Sequence, residues 1–332
     1  MEYVRDIKWE KGILLKDFVA RLGKVGYQSI ELEKASKTIA KMKRDGAKMF
    51  LTFTSNMVTS GLRGFFAQLI KLKMADVIVT TVGGIEEDIM RAVGEKFVIG
   101  SFYSDDVELY EKGMNRVGNI MIDNQSYAKF ESIIAPILKK LYEKQKRWPV
   151  SELLREIGLL LNDEDSILYQ ASKNNVPIFC PAITDGAFGF HLFMFQQKNP
   201  DFIVDVVKDF SNILFCTNHD EKKGLIALGG SISKHHAILA TLLNGGLDYA
   251  VYMTTASSRS GSMSGATTEE AKSWGKIKDD SDAATVIGDV TILFPLAMMN
   301  ALEILDSEGI LGKETAKHAI SEHDIDAKII KD

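Results

Sequence analysis

The stretch Thr267-Thr-Glu-Glu-Ala-Lys-Ser-Trp-Gly-Lys-Ile277 combines residue types that can do covalent chemistry. Glycine lets the backbone come close to another group, and the indole of Trp274 offers a flat apolar wall. Lys276 then stands where its ammonium could lose water. A lysine so placed can give up its proton near neutral pH and attack a carbonyl or imine carbon. A surface turn with a solvated lysine is the plainer reading of these residues alone, so the rest of the chain has to decide.

The other candidates are acids and histidines. Glu86, Glu87 and Asp88 follow Gly83-Gly84 and are expected in a first helical turn, where acids favour the helix dipole without any catalytic purpose. Glu270 lies three residues after Thr267, a spacing that a capping box explains. Asp185 precedes Gly186 and can nucleate a turn. His235 and His236 are adjacent on a helix and face different ways, so they cannot form a His-x-x-x-His metal face, and no metal site is expected. At most one of them could serve as a base. Together, a lysine, a tryptophan, acids and a histidine in one cleft would suit amine chemistry.

The elements that must position these groups alternate. Strands are expected at Met49 to Thr54, Val77 to Thr81, Val176 to Cys180, Leu225 to Leu228, Asp248 to Thr254 and Thr285 to Ile287. Helices are expected over the first fifty residues, around Leu62 to Ile70, from Ile85 to Val93, over 126–147 with Pro149 ending it, over 201–215, and from Leu293 to Leu305. This pattern implies an α/β fold: a mostly parallel sheet with helices on both faces and helical decorations, in one domain over 1–332 with a C-terminal tail from 306. Ligands of such sheets bind beyond the carboxyl ends of the strands. That rule puts Ser55-Asn56, Thr80 to Gly84, Thr184 to Gly186, Gly229-Gly230 and Thr254-Thr255 along one rim. Neither the Gly-x-Gly-x-x-Gly nor the Walker fingerprint is present, so a phosphate-bearing ligand is open but not required.

The 332 residues are 45% hydrophobic and 26% charged, with a net charge of −5, which disfavours a non-specific nucleic-acid binder. Cys180 and Cys216 have no metal or redox spacing and read as buried small hydrophobes. Without a disulfide framework, a secretory signal or an apolar run of membrane-spanning length, the expected setting is cytoplasmic, with no membrane partner.

Several longer runs resemble deoxyhypusine synthase: Thr54-Ser-Asn-Met-Val-Thr-Ser-Gly61, Asp76-Val-Ile-Val-Thr-Thr-Val-Gly-Gly-Ile-Glu-Glu-Asp88, Asn115-Arg-Val-Gly-Asn119, Pro181-Ala-Ile-Thr-Asp-Gly186, Gly229-Gly-Ser-Ile-Ser-Lys-His-His236, Asp248-Tyr-Ala-Val-Tyr252 and Ser273-Trp-Gly-Lys-Ile277. The likeness runs in order from about residue 20 to 305. It implies a Rossmann-like, single-domain subunit of a homotetramer, with NAD and the active sites at a dimer interface. It also implies oxidation of the polyamine spermidine with NAD, transfer of its aminobutyl group to an active-site lysine as an imine, release of 1,3-diaminopropane, and delivery to one lysine of the hypusine-bearing translation initiation factor precursor. By position, Lys276 would be the nucleophile and His235 would assist proton transfer. Trp274, Glu270 and Asp185 would bind substrate. Ser55, Asn56, Ser60, Thr81, Glu87, Asp185, Gly230, Thr255, Ala256 and Asp289 would contact NAD.

The chain also departs from the family pattern. Phe190 and Met263 stand where the family places acids, and Leu239 where it places an amide. Those three positions normally line the polyamine pocket, and a buried ammonium needs such partners. The departures favour an alternative with the same chemistry, a paralogue using another amine donor or acceptor such as agmatine or putrescine, homospermidine formation included. A non-catalytic NAD-binding subunit paired with an active paralogue is a further alternative, though it would predict loss of Lys276.

Overall fold

A computed structural model describes residues 2–312. The expected C-terminal tail lies, from residue 313 onward, outside the described residues. The chain forms two compact units, the first from residues 1–52, 72–77 and 211 onward, the second from residues 53–71 and 78–210.

Six strands form the main sheet: β1 (Lys48–Phe53), β2 (Val77–Val79), β3 (Ile178–Phe179), β4 (Lys223–Leu228), β5 (Leu247–Thr254) and β6 (Ile277–Ile287). The first unit holds the order β6-β5-β4-β1 and the first residue of β2. β5 pairs in parallel with β4 (Val251 opposite Ile226) and with β6 (Tyr252 opposite Thr285), with an irregularity between Leu247 and Tyr249. Every residue of β4 is buried, as are seven of the eight residues of β5, which suits strands covered on both faces. β6 is far longer than the short strand expected at Thr285 to Ile287. Its first half carries Asp279, Asp280 and Asp282 on the edge of the sheet, and such charges hide a strand from an apolar-run reading while guarding the edge.

Helices Leu15–Leu22, Gln28–Arg44 and Val290–Ser307 pack together in this unit. The last is long and apolar enough to span a membrane by length and composition, contrary to the expectation that no such run exists. It carries a buried stripe of Phe294, Ala297, Met298, Ala301 and Leu305 and packs on the other two helices and β5.

The second unit carries the remainder of β2 paired in parallel with β3, Ile78 opposite Ile178. A three-stranded antiparallel sheet (Val98–Ile99, Ile120–Asp123, Met114–Val117) occupies the region that the sequence left unassigned. The helix expected over 201–215 begins only at Val206. Ile203–Asp205 is a strand paired with Arg147–Pro149, because β-branched Ile203 and Val204 suit a pleat and Asp205 accepts from the Lys208 amide to start the helix. The helix expected over 126–147 is Asn124–Lys144, and Pro149 opens the next helix rather than ending this one.

The helix expected from Ile85 begins at Val82, so Gly83 and Gly84 lie inside its first turn rather than in a loop. Close packing explains the glycines. A Cβ on Gly83 would stand 2.8 Å from the Ser55 Cβ, and one on Gly84 would stand 2.9 Å from the Thr80 Oγ1. Glu86, Glu87 and Asp88 consequently fall in the second turn and are buried, not exposed to favour the helix dipole.

Candidate active site

The first unit contains a cavity of about 140 Å³ between two short helical faces of the same spacing. Helix Ser231–Leu242 contributes Ser231, Lys234, His235 and Ile238. The turn around helix Thr268–Lys272 contributes Thr267, Glu270, Ala271 and Trp274. Both sets run i, i+3, i+4, i+7, one side of a helix. Tyr252 from β5, the loop residues Met263, Ser264 and Ala266, and Lys276 complete the lining.

Local geometry explains how these elements come so close. Gly229 (φ 78°) and Ser231 (φ 63°) take left-handed backbone at the end of β4. The strained Ser231 is noteworthy, since non-glycine residues rarely adopt this region outside sites that need it. A Cβ on Gly230 would lie 2.3 Å from Ser264, and the Ser231 amide donates to the Ser264 Oγ at 3.2 Å, so the Ser/Gly-rich loop packs on this turn. Thr267 caps helix Thr268–Lys272 by accepting from the Glu270 amide at 3.2 Å. Of the expected capping box the Thr267 half is present, its hydroxyl accepting from the Glu270 amide, and Glu270 lines the cavity.

Lys276 is half-buried, with its Nζ 4.8 Å from the centre of the Trp274 ring, within the range of cation–π attraction. Its amide donates to the Ala271 carbonyl at 3.1 Å, and its own carbonyl accepts from the Leu247 amide at 3.0 Å. The backbone that carries the lysine is therefore anchored at the entry to β6. Trp274 itself is 64% exposed. His235 lines the cavity; its neighbour His236 is partly buried, and burial followed by the nearby His235 pushes it down to about 4, so it stays neutral at physiological pH.

Lys234 and Tyr252 are among the cavity residues that the sequence reading did not single out. Lys234 is 5% exposed; its Nζ donates to the Ala266 carbonyl at 2.9 Å and stands 4.1 Å from the centre of the Tyr252 ring. Burial pushes this lysine down to about 8, with Glu270 opposing and Lys276 adding to the shift. The buried, readily deprotonated lysine of the cavity is thus Lys234. The spacing 231, 234, 235, 238 could have revealed it once His235 was placed on a helix. Tyr252 had no such signal, because a tyrosine within an apolar strand reads as core.

The positions expected to hold a nucleotide divide between the units. In the first, Gly230 precedes helix Ser231–Leu242, and Thr255 and Ala256 follow β5. Asp289 caps helix Val290–Ser307, accepting from the Thr291 amide and hydroxyl at 2.8 and 2.5 Å. In the second unit, the Ser55 amide donates to the Thr81 Oγ1 at 2.9 Å, Asn56 accepts from the Thr54 hydroxyl, and the Ser60 hydroxyl donates to the Met57 carbonyl at 3.0 Å. Asp185 is exposed in the turn before helix Ala187–Lys198, as is Phe190 within that helix. Gly186 allows this turn to approach Val82 and Glu86, where a Cβ would come within 2.8 and 3.0 Å.

Glu87 is buried beside Thr59, whose hydroxyl donates to it at 2.5 Å. Burial pushes its carboxyl up to about 8, with Thr59 opposing and Glu86 reinforcing the shift. The folded state then holds a proton that the unfolded chain releases near its ordinary value, so stability falls as pH rises from about 4.5 to 8. Glu87→Gln is expected to equal the parent near pH 4.5 and to exceed it by on the order of 2 kcal/mol at pH 8.5. Urea denaturation at both values checks this; equal stability at pH 8.5 would refute it.

The deoxyhypusine synthase family model matches residues 17–301. The chain belongs to the deoxyhypusine synthase family. It is 40% identical over 301 residues to a probable deoxyhypusine synthase of Thermoplasma volcanium, covering 89% of this chain and 96% of the relative. It is 44% identical over 255 residues to a deoxyhypusine synthase of Senecio vernalis, covering 75% and 68%. Among solved structures, a putative deoxyhypusine synthase from Entamoeba histolytica superposes with a TM-score of 0.65 at 28% identity, covering 90% of this chain and 96% of that one. The deoxyhypusine synthase family consists of transferases, and the mostly parallel sheet surrounded by helices is its fold.

Proposed function

We propose that this chain is an NAD-dependent aminoalkyl transferase that moves the aminobutyl group of spermidine, through an imine on Lys276, to one lysine of the hypusine-bearing translation initiation factor precursor. What supports this most is the meeting of Lys276, Trp274, His235 and Glu270 in one cavity of a chain of this family. The chemistry follows from the groups. The Lys276 Nζ, once unprotonated, attacks the carbon of an oxidised donor. A nitrogen–carbon bond forms there and the bond to the departing 1,3-diaminopropane breaks, that nitrogen taking up the proton Lys276 releases. His235 lines the cavity and can hold this proton between the two nitrogens. Glu270 provides a carboxylate for a cationic amine, and the Trp274 face attracts one.

A bound NAD would supply a reversible hydride acceptor for oxidation of the donor amine and would not be consumed overall. The second unit offers groups that fit such a nucleotide. The 11-residue helix Val82–Ala92 has no side-chain cap on its first amides, the buried Thr80 hydroxyl has no partner among the described residues, and Glu87 can accept from sugar hydroxyls. A homotetrameric assembly and a cytoplasmic setting belong to the same proposal.

A second reading, the same chemistry with another donor such as putrescine or agmatine, is favoured by Met263. This apolar side chain lines the cavity, where Glu270 is the lone carboxylate among the described lining residues and faces two lysines. Incubation with NAD and each amine in turn, borohydride reduction and peptide mass spectrometry should find an aminobutyl mass on Lys276 with spermidine. An adduct only with another amine moves the chain to the second reading. No adduct with any donor, under conditions where NAD binds, rejects both.

A further inference from the structure

One lysine of the cavity is buried without a counter-ion. Lys234 is 5% exposed, and its Nζ hydrogen-bonds only to the Ala266 carbonyl at 2.9 Å, so two of its three donors are unused among the described residues. Beside it lies the face of Tyr252, with the ring centre 4.1 Å away and a hydroxyl that has no partner among the described residues. Glu270 lines the same cavity and forms no ion pair with Lys234 there. Two other buried cations show the contrast. Lys223 donates to the Asn218 and Glu221 carbonyls at 2.8 and 2.6 Å, and Arg63 meets the Asp88 and Asp163 carboxylates. Neither of them lines this cavity. Buried charges are normally paired, so a lone one that opens on a cavity calls for an anion from the ligand.

We propose that Lys234 receives a carboxylate of the donor, which is therefore a diamino acid, an inference that rests on the amine-transfer reading above in its second form, with a donor other than spermidine. The cavity then offers a partner for each group of such a molecule. Lys234 takes the carboxylate, Glu270 takes the α-ammonium, and Lys276 takes the carbon next to the side-chain amine, while Ile238 and Met263 suit the methylenes between them. A triamine would bring three positive charges to a lining that holds two lysines and one carboxylate, whereas a diamino acid brings a negative charge of its own. The transfer balances. Oxidation of the side-chain amine sends a hydride to bound NAD and a proton to water, and leaves an iminium carbon. The Lys276 nitrogen bonds to that carbon, the bond to the original nitrogen breaks, and ammonia leaves with one of the Lys276 protons.

Matched donors test this in the NAD-loaded, full-length chain. Ornithine and putrescine differ only by a carboxylate, as do lysine and cadaverine. Calorimetric affinity for each, and for spermidine, is to be measured in the parent and in Lys234→Met, together with NAD affinity, thermal stability and the borohydride-trapped mass on Lys276. The parent is expected to bind one of the amino acids about 10- to 100-fold more tightly than its decarboxylated counterpart and to carry the corresponding carboxylated adduct on Lys276. In Lys234→Met that preference is expected to vanish, with NAD affinity unchanged and stability equal or higher. A parent that prefers putrescine, cadaverine or spermidine would overturn the proposal without recourse to the variant and leave the transfer reading intact. A carboxylate preference that persists in Lys234→Met would overturn the role of Lys234. Loss of NAD affinity in the variant would assign the anion to the nucleotide and overturn it equally. Carboxylate-dependent binding that Lys234→Met removes, with no adduct on Lys276 from any donor, would support the Lys234 site and reject the transfer reading.

Discussion

Lys276→Ala and Lys276→Arg are both expected to abolish the trapped adduct and to lower transfer by at least ~10³-fold, because neither residue supplies a nucleophilic nitrogen at neutral pH. The arginine variant is the sharper test. It keeps a cation near the Trp274 ring, so a role limited to charge would survive in Arg and fail in Ala. Because the residue is only half-buried at the start of an edge strand, both variants should fold, and circular dichroism verifies that. If the lysine next to the phenol were the nucleophile instead, the adduct would persist in both variants and peptide mapping would find it on Lys234. That outcome would reassign the chemistry to a residue of the same cavity.

The second large effect concerns stability. Arg63 is buried, with its Nε 2.5 Å from the Asp88 carboxylate and its Nη2 2.5 Å from Asp163. Asp88 is 0% exposed and also accepts from the Ser166 hydroxyl and from the Ile167 and Leu168 amides at 2.9, 3.1 and 2.8 Å. It thereby ties helix Val82–Ala92 to the start of helix Ile167–Lys173. Arg63→Ala leaves that carboxylate without its cation in a place where water cannot replace it. A loss of about 3–5 kcal/mol is expected, read as a lower denaturant midpoint with little change in slope. A loss below ~1 kcal/mol would mean that the three hydrogen bonds alone hold the charge, and the pair would then be incidental to stability.

These outcomes bear on what a sequence can disclose. Lys276 and Trp274 stood out through the unusual Trp-Gly-Lys run, whereas Glu270 and His235 were singled out only by the resemblance; all four line one cavity. Lys234 stood between them and was passed over, since adjacent chain positions point in different directions until the helix phase is fixed. Tyr252 was invisible for a different reason: an unpartnered hydroxyl is a property of the packed interior. The strands β1, β4 and β5 were legible as apolar runs, whereas the acidic first half of β6 concealed its pairing with β5. Glu86, Glu87 and Asp88 were misplaced by one helical turn because glycine pairs usually mark loops. Here they mark close approach of Ser55 and Thr80 to a helix that has already begun.

The anchoring of Lys276 has a consequence for how such a protein can diversify. On the proposed reading the reacting lysine stands at the very end of the connection between β5 and β6, where its carbonyl accepts from the Leu247 amide, and Met263, Glu270 and Trp274 sit earlier on that connection. Within that one segment, the lysine at its end is pinned to a strand, while the loop and short helix before it carry the residues that would meet the donor. Mutations in the connection can trade one donor for another while the reacting nitrogen stays where the strands put it. A lineage could then acquire a new amine without first losing the old reaction, and Met263 stands where such a change would leave its mark.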